Sequence, residues 1–318
     1  MTAFDPFEDF GDIEEIGERL NDADAAVRRL AVIDLAETAS ADVLPHLLTA
    51  VADPDATVRL QLAIALSEFD AVEAAAGLAR LVADQDLTVA QAAADSLAEL
   101  KDPAAAESIL PLVSHGRAFV RAAGFRGLKA LRSRGALGPA LAAMRDEDAN
   151  VRAQALGVVA YLKLEETLPC LVAATRDADA TVRSVAVNAL SFTSQPAAAA
   201  AVTAALDDET WQVRAAAAES LGRIGQTSAV DGLTAGLSDE YWQVRQKCLN
   251  ALGKLKAQST VRQISELLTS DMASLRKESA AALGEIADPS SRDSLMAHIG
   301  DADPDVRKTV RWALTRLG

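Results

Sequence analysis

Three histidines and two cysteines are the residues of this sequence best suited to metal or nucleophilic chemistry, and their spacing serves neither. His46, His115 and His298 are followed by Leu47, Gly116 and Ile299, so none forms a paired metal-ligand spacing with another histidine, a cysteine or a carboxylate. No metal and no cofactor is expected. Cys170 and Cys248 fall in different repeats of the array described below, too far apart for a disulfide, which needs Cα atoms within about 7 Å; they read as small packing residues. The sequence has no glycine-rich phosphate loop, no Gly-x-Ser-x-Gly elbow and no Cys–His constellation. What remains is recognition chemistry. Exposed aromatic and arginine side chains bury much area with little rotamer loss, and the candidates for a partner surface are Phe119, Arg126, Tyr161, Asn188, Phe192, Trp211 and Trp242. For Trp211 and Trp242, simple packing against a neighbouring helix is an equal alternative.

These residues are positioned by a repeat. Val27-Arg28 recurs as Val58-Arg59, Val120-Arg121, Val151-Arg152, Val182-Arg183, Val213-Arg214, Val244-Arg245, Leu275-Arg276 and Val306-Arg307, always a multiple of 31 residues away, with Val89-Ala90 in the remaining slot. With Asn21 as position one, Val at seven, Arg at eight and Leu at fifteen each occur in nine of ten copies, and position eleven is mostly small. Apolar or small residues at seven, eleven, fourteen, fifteen and eighteen trace one face of a helix of about four turns. A shorter apolar pattern, such as Val43, Leu44, Leu47, Leu48 and Val51, predicts a preceding helix of about three turns. Between them lies an acidic turn, with Asp22, Asp53, Asp84, Asp146, Asp177, Asp208, Asp239 and Asp301 at position two. That aspartate is expected to cap the helix after it and to lie within reach of the arginine six residues later. A composition of 50 % apolar residues with only 17 glycines and 10 prolines suits helix throughout. The expected fold is all-α, ten two-helix repeats forming one solenoid over residues 12–318, with residues 1–11 as a separate acidic segment.

Helix, Asp, four residues, then Val-Arg opening a second helix that contains Ala-x-x-x-Leu: this grammar resembles the HEAT repeat, in the short bacterial and archaeal form named after phycobiliprotein lyase subunits. The resemblance covers about residues 12–317, and Pro45 and Pro169 fall where the family's first helix often carries proline. It implies a right-handed α–α superhelix, an Asp–Arg ladder between successive repeats, and second helices lining the concave side. Positions six, nine, thirteen and seventeen would then face the groove. Early repeats place Glu37, Leu60, Ile64, Glu68, Asp95 and Glu99 there, the middle places the aromatics, and late repeats place Arg223, Lys254, Lys277, Lys308 and Arg316. The His-Glu pairs of the family's di-iron hydroxylase are missing. The acidic first third argues against the cationic groove of its DNA glycosylases.

The net charge of −15 is uneven: residues 1–113 carry 23 acidic and 6 basic side chains, residues 114–318 carry 23 and 25. Nucleic acid and anionic lipid both need cationic surface, so neither is an expected partner. The start has no secretory leader pattern and no stretch approaches the roughly 20 apolar residues of a membrane span, which predicts a cytoplasmic protein. The functional expectation is a non-enzymatic scaffold, assembly factor or chaperone-like adaptor holding a protein or peptide in its groove. The alternative is a bilin lyase-type cofactor-attachment subunit. An engineered array is a third reading, opposed by how far repeats three and four depart from the others.

In those two repeats Ala90 replaces the arginine and Ser114-His115-Gly116 replaces the acidic turn, predicting the weakest rung and a solvated His115. Repeat four also carries Arg117, Arg121, Arg126, Lys129, Arg132 and Arg134 without an acid. They neutralise neighbouring acids or form a site for an acidic partner. At the ends, Glu14, Glu15 and Glu18 oppose Lys308, Arg311 and Arg316; these charges keep the terminal repeats of a monomer soluble or support weak head-to-tail association. Phe4, Phe7 and Phe10, among Asp5, Glu8 and Asp9, form an apolar cap over the first repeat or a docking motif.

Overall fold

The computed structural model describes residues 13–193 and 195–317, so the acidic segment of residues 1–11 lies outside the described residues. Among the described residues there are twenty α-helices, fourteen short 3-10 turns and no strand. None of these helices is long and apolar enough to cross a membrane. Packing divides the chain between Leu162 and Lys163 into two compact units.

In the first unit the second helices of successive repeats are Ala25–Glu37, Ala56–Ala65, Leu87–Leu97, Ala118–Leu131 and Ala149–Leu162, each packed on the next. In the second unit they are Ala180–Leu190, Trp211–Ile224, Trp242–Lys254, Ala273–Ile286 and Pro304–Arg316, stacked in the same way. Most first helices are shorter than the three turns expected. Val72–Val82 reaches that length, but Leu44–Thr49 and Val230–Ala235 have six residues each and continue as a 3-10 turn. The tighter last turn delivers the chain into an extended residue at position two, as at Asp53 with ψ 136°.

The position-fifteen leucines Leu35, Leu66, Leu97, Leu128, Leu190, Leu221, Leu252 and Leu283 are fully buried. Each contributes about 1.5–3 kcal/mol relative to an exposed side chain, which is why this column tolerates little but Leu. In the second unit three glycines set how closely the second helices approach. A Cβ at Gly222, Gly253 or Gly284 would stand 3.0, 3.0 and 2.9 Å from the Cα of Ala251, Ala282 and Ala313 on the next helix. Backbone meets backbone there, and only a missing side chain leaves room.

Position nineteen, just past the second helix, is left-handed at Ala39, Arg132, Lys163, Lys256 and Ala287, with φ between 51° and 56°, and at Gly225, with φ 76°, but not at Asp70 or Lys101. A β-carbon is crowded in this conformation by about 1–2 kcal/mol, whereas glycine adopts it freely at some entropic cost. Ala39→Gly, at an exposed site, should therefore raise stability by about 1 kcal/mol. A thermal midpoint equal to or below the parent's would show that this position stores no strain.

Candidate functional site

The Asp–Arg ladder between successive repeats that the HEAT resemblance implies is present, and the aspartate six residues before each arginine, which spacing alone suggested, offers its backbone carbonyl rather than its carboxylate. Arg28 Nη1 donates to the backbone carbonyl of Asp22 at 2.9 Å, while Nε and Nη2 straddle the Asp53 carboxylate of the next repeat at 2.7 and 2.8 Å. The same two-pronged contact joins Arg59 to Asp84 and Arg121 to Asp146 in the first unit. In the second unit it joins Arg183 to Asp208, Arg214 to Asp239 and Arg276 to Asp301. Each such fork bolts one repeat to the next, and its planar geometry fits a carboxylate as a lysine would not. Capping of the second helix therefore passes two residues on, where Asp24, Asp55, Asp86, Asp179 and Asp303 accept N–H groups of the first turn. The position-two carboxylate is committed elsewhere, since besides its arginine it accepts a backbone N–H of its own turn, as Asp53 does from Asp55 at 2.8 Å.

The arginine hydrogen bonds hold the carboxyls of Asp53, Asp84, Asp146 and Asp301 below the usual carboxylate range, Asp301 at about 2. A folded pKa below the unfolded value stabilises the fold above the unfolded pKa, and that contribution is lost as pH falls through the folded one. For Asp301 the window runs from about pH 4 down to about 2. Helical circular dichroism under fixed denaturant should accordingly fall across this range, and Asp301→Asn should flatten the fall. An unchanged acid limb in that variant would remove the rung as its cause.

At Ala90 the ladder is reversed rather than left open. Arg117 comes back from the following turn, and its Nη1 donates to the carbonyls of Ala83 and Asp84 at 3.0 and 2.9 Å. His115 stands in the aspartate's place and copies its backbone contact, with Nδ1 accepting the Arg117 N–H at 3.1 Å. His115 is thus half-buried and bonded, not solvated. Of the other cations in this repeat, Arg121 and Arg126 are spent on Asp146 and Asp95, in keeping with neutralisation.

Phe119 and Arg126 come together in an open cleft of about 360 Å³, floored by Ala94, Ala122 and Ala123 and edged by Gln91, Asn150 and Gln154. Arg126 donates to Asp95 at 2.6 Å. Tyr161 stands at the C-terminal end of Ala149–Leu162, 40 % exposed, with Arg132 Cζ 5.2 Å and Lys129 Nζ 6.0 Å from its ring centre. The Lys129 stem runs over Gly157, where a Cβ would lie 3.6 Å from its Cδ. In the second unit Phe192, 55 % exposed, has Lys163 Nζ 4.8 Å from its ring centre. Asn188 Oδ1 accepts from Arg223 Nη2 at 3.2 Å.

The tryptophans sit elsewhere, at the N-terminal turns of their helices. Trp211 stacks on Tyr241 with ring centres 5.6 Å apart and planes 18° from parallel, and Arg214 lies 5.8 Å over the same tyrosine. This is packing along the ladder edge. Trp242 is 36 % exposed beside it. Sequence reasoning missed Tyr241 and Lys163. For Lys163 a signal existed: a cation at position nineteen precedes an aromatic at position seventeen of the next repeat, as Arg132 precedes Tyr161. Neither thiol is poised for chemistry, since burial pushes Cys248 up to about 12 and raises Cys170, whose Sγ donates to the Thr167 carbonyl.

A family model described as HEAT repeats matches residues 13–98, 138–222, 201–281 and 263–318. No curated protein matches the chain. Among solved structures, importin beta is similar over 96 % of this chain and 51 % of its own, at 15 % identity and a TM-score of 0.65. Kap95p, in a structure concerning its binding to RanGDP, is similar over 96 % and 50 %, at 15 % identity and a TM-score of 0.66. An engineered protein is similar over 96 % and 98 %, at 19 % identity and a TM-score of 0.51. The chain thus spans about half the length of the importin-type proteins, and at these identities the likeness is one of fold.

Proposed function

The chain belongs to the HEAT-repeat family, and from that premise we propose that it is a non-enzymatic scaffold or assembly adaptor that holds a protein or peptide against its second-helix face. The observation that carries this reading is the exposure of Tyr161 and Phe192, each held beneath a cation from the preceding repeat. Aromatic rings displayed beside arginine and lysine on a rigid helix scaffold are the side chains that anchor protein interfaces. In the first unit the Phe119–Arg126 cleft adds to the proposed binding residues, and in the second unit Asn188 and Trp242 do, while Trp211 acts through its stack on Tyr241. Kap95p, similar in fold, binds RanGDP, which supports a protein as the partner class.

Capture from a lysate by the immobilised chain, compared with a Phe119→Ala, Tyr161→Ala, Phe192→Ala triple variant, tests the proposal. The triple variant should keep its helical circular dichroism and lose capture by about tenfold or more, since tenfold is about 1.4 kcal/mol and a single hot-spot side chain at an interface costs about 2 kcal/mol or more when truncated. Undiminished capture by the folded variant would sink the reading.

A second reading follows from the finer resemblance to the phycobiliprotein-lyase type, carried by the 31-residue period and its Asp and Val-Arg positions. In that reading the same face presents a phycobiliprotein subunit for bilin attachment. Co-expression with such a subunit and a bilin decides it, a covalently pigmented product favouring attachment and a colourless one the scaffold.

A further inference from the structure

We infer that Arg245 and Ser270, both in the second unit, form a seat for a phosphoryl group, either free phosphate or the phosphate ester of Ser270 itself. The seat is a ladder rung that lacks its carboxylate. It does not depend on the reading of the second-helix face.

Position two of the ninth repeat is Ser270, where the six forks described above meet an aspartate. Its backbone is set as theirs is: Ser270 has φ −59° and ψ 142°, and Asp239 has φ −57° and ψ 143°. Arg276 Nη1 donates to the Ser270 carbonyl at 2.9 Å, as Arg214 Nη1 does to that of Asp208 at 2.8 Å. Ser270 Oγ accepts the Met272 N–H at 3.2 Å, the contact that Asp239 Oδ1 makes with the Tyr241 N–H at 2.9 Å. Serine thus reproduces every backbone contact of the rung and stops one atom short of the oxygens that an arginine grips.

Arg245 is placed to grip them. Its Nη1 donates to the carbonyls of Asp239 and Glu240, the anchorage that Arg214 and Arg276 also have. In those two arginines Nε and Nη2 close on Asp239 and Asp301. In Arg245 the same two donors have no hydrogen-bond acceptor among the described residues. Asp271 does not substitute. It holds the place of Glu209 and Glu240, which come within 3.4 and 4.0 Å of their rung arginines, but it is one methylene shorter and forms no ion pair with Arg245 among the described residues.

A half-buried guanidinium with two donors unspent selects an oxyanion, because its planar fork matches two oxygens on one phosphorus. An acid at position three does not forbid this, since Glu209 and Glu240 stand beside the charged Asp208 and Asp239. Met272 occupies the position at which Asp55 and Asp303 cap, and brings no side-chain oxygen to the start of the helix Ala273–Ile286. The positive end of that helix therefore adds to the attraction. A phosphate on Ser270 Oγ restores the missing oxygens with a charge of about −1.5 to −2 at pH 7. The ester forms when Ser270 Oγ bonds to the γ-phosphorus of a nucleoside triphosphate held by a separate kinase. The bond from that phosphorus to the diphosphate oxygen breaks, and the hydroxyl proton passes to solvent.

The thermal midpoint of the full chain, followed by helical circular dichroism, is titrated with inorganic phosphate against sodium chloride at equal ionic strength. Phosphate should raise the parent's midpoint by about 2 °C or more beyond its general effect on burial, which all variants share. Arg245→Ala removes the fork and Ser270→Asp fills it, so both should lose that specific rise, and Ser270→Asp should melt above the parent without phosphate. Phosphoserine installed at position 270 separates the two sources. A midpoint above that of the phosphate-saturated parent, lost again on adding Arg245→Ala, assigns the ester; a lower one, with the free-phosphate rise intact in the parent, assigns free phosphate. A rise with phosphate as large in Arg245→Ala as in the parent, or no rise from either free phosphate or phosphoserine, overturns the inference.

Discussion

Arg214→Ala is expected to lower the stability of the protein by about 3 kcal/mol, a large effect for one solvent-edge arginine. In the native state this guanidinium grips Asp239 at 2.7 and 3.0 Å and also donates to the carbonyls of Asp208 and Glu209 at 2.8 and 3.2 Å. The side chains of Arg214 and Asp239 are only 13 % and 10 % exposed. Truncation leaves a mostly buried carboxylate without its counter-charge and two carbonyls without their donor, and an unpaired buried charge costs about 3–5 kcal/mol before water finds it. The stack of Trp211 on Tyr241, over which the same arginine lies, loses its cover as well. Arg214→Lys keeps the charge but not the fork, so it should recover less than half of the loss. Arg214→Ala with Asp239→Ala should be less harmful than the arginine change alone, because no charge is then stranded. Denaturant midpoints for the three variants check the ordering. Equal stability of Arg214→Ala and the parent would show that the ladder holds nothing together.

Gly253→Val should cost about 3 kcal/mol or more, by a different route. Glycine within a helix ordinarily lowers stability relative to alanine by about 0.5–1 kcal/mol, so a larger residue would be expected to help if there were space. There is none: a Cβ would stand 3.0 Å from the Ala282 Cα and 3.5 Å from the Glu285 Cβ. The neighbour is backbone, so the two helices must separate, and each repeat contacts only those beside it. Gly138 in the helix Leu137–Ala143 is the matched control, because nothing lies within 4 Å of a Cβ placed there. Gly138→Ala should be neutral or stabilising. Similar losses in both variants would mean that helix spacing is not set by the glycines.

Much of this architecture is legible from the repeat. The leucine of position fifteen and the valine of position seven identify the buried face because a helix returns the same side every three or four residues, and Leu66 and Val58 are indeed fully buried. The ladder was legible only in part. Asp22 and Asp53 both lie near Arg28, and sequence distance alone favours the wrong one; the HEAT resemblance, which implies a ladder between successive repeats, points to the carboxylate of the next repeat that Arg28 takes. The choice of Asp24 over Asp22 as the helix cap is hidden, since both are aspartates within two residues of each other. The missing rung at Ala90 could be seen, but not that Arg117, at the position others use for capping, would turn back to fill it. Position seventeen was enough to expect Tyr161 and Phe192 on the exposed side of their helices, where they lie. Trp211 was ambiguous because its partner Tyr241 occupies a position whose usual aspartate says nothing about stacking. Gly222, Gly253 and Gly284 share a register in three consecutive repeats, a signal of close approach that composition alone does not reveal.

The central claim, that the second-helix face receives the partner, is tested most directly by site-specific photo-crosslinking. A benzoylphenylalanine placed at Tyr161 or Phe192 in the full chain, irradiated in a lysate, should become covalently joined to a partner protein. The same probe at Arg262, an exposed site on the first helix Val261–Glu266, should not. Crosslinks from position 262 with none from 161 or 192 would contradict the account.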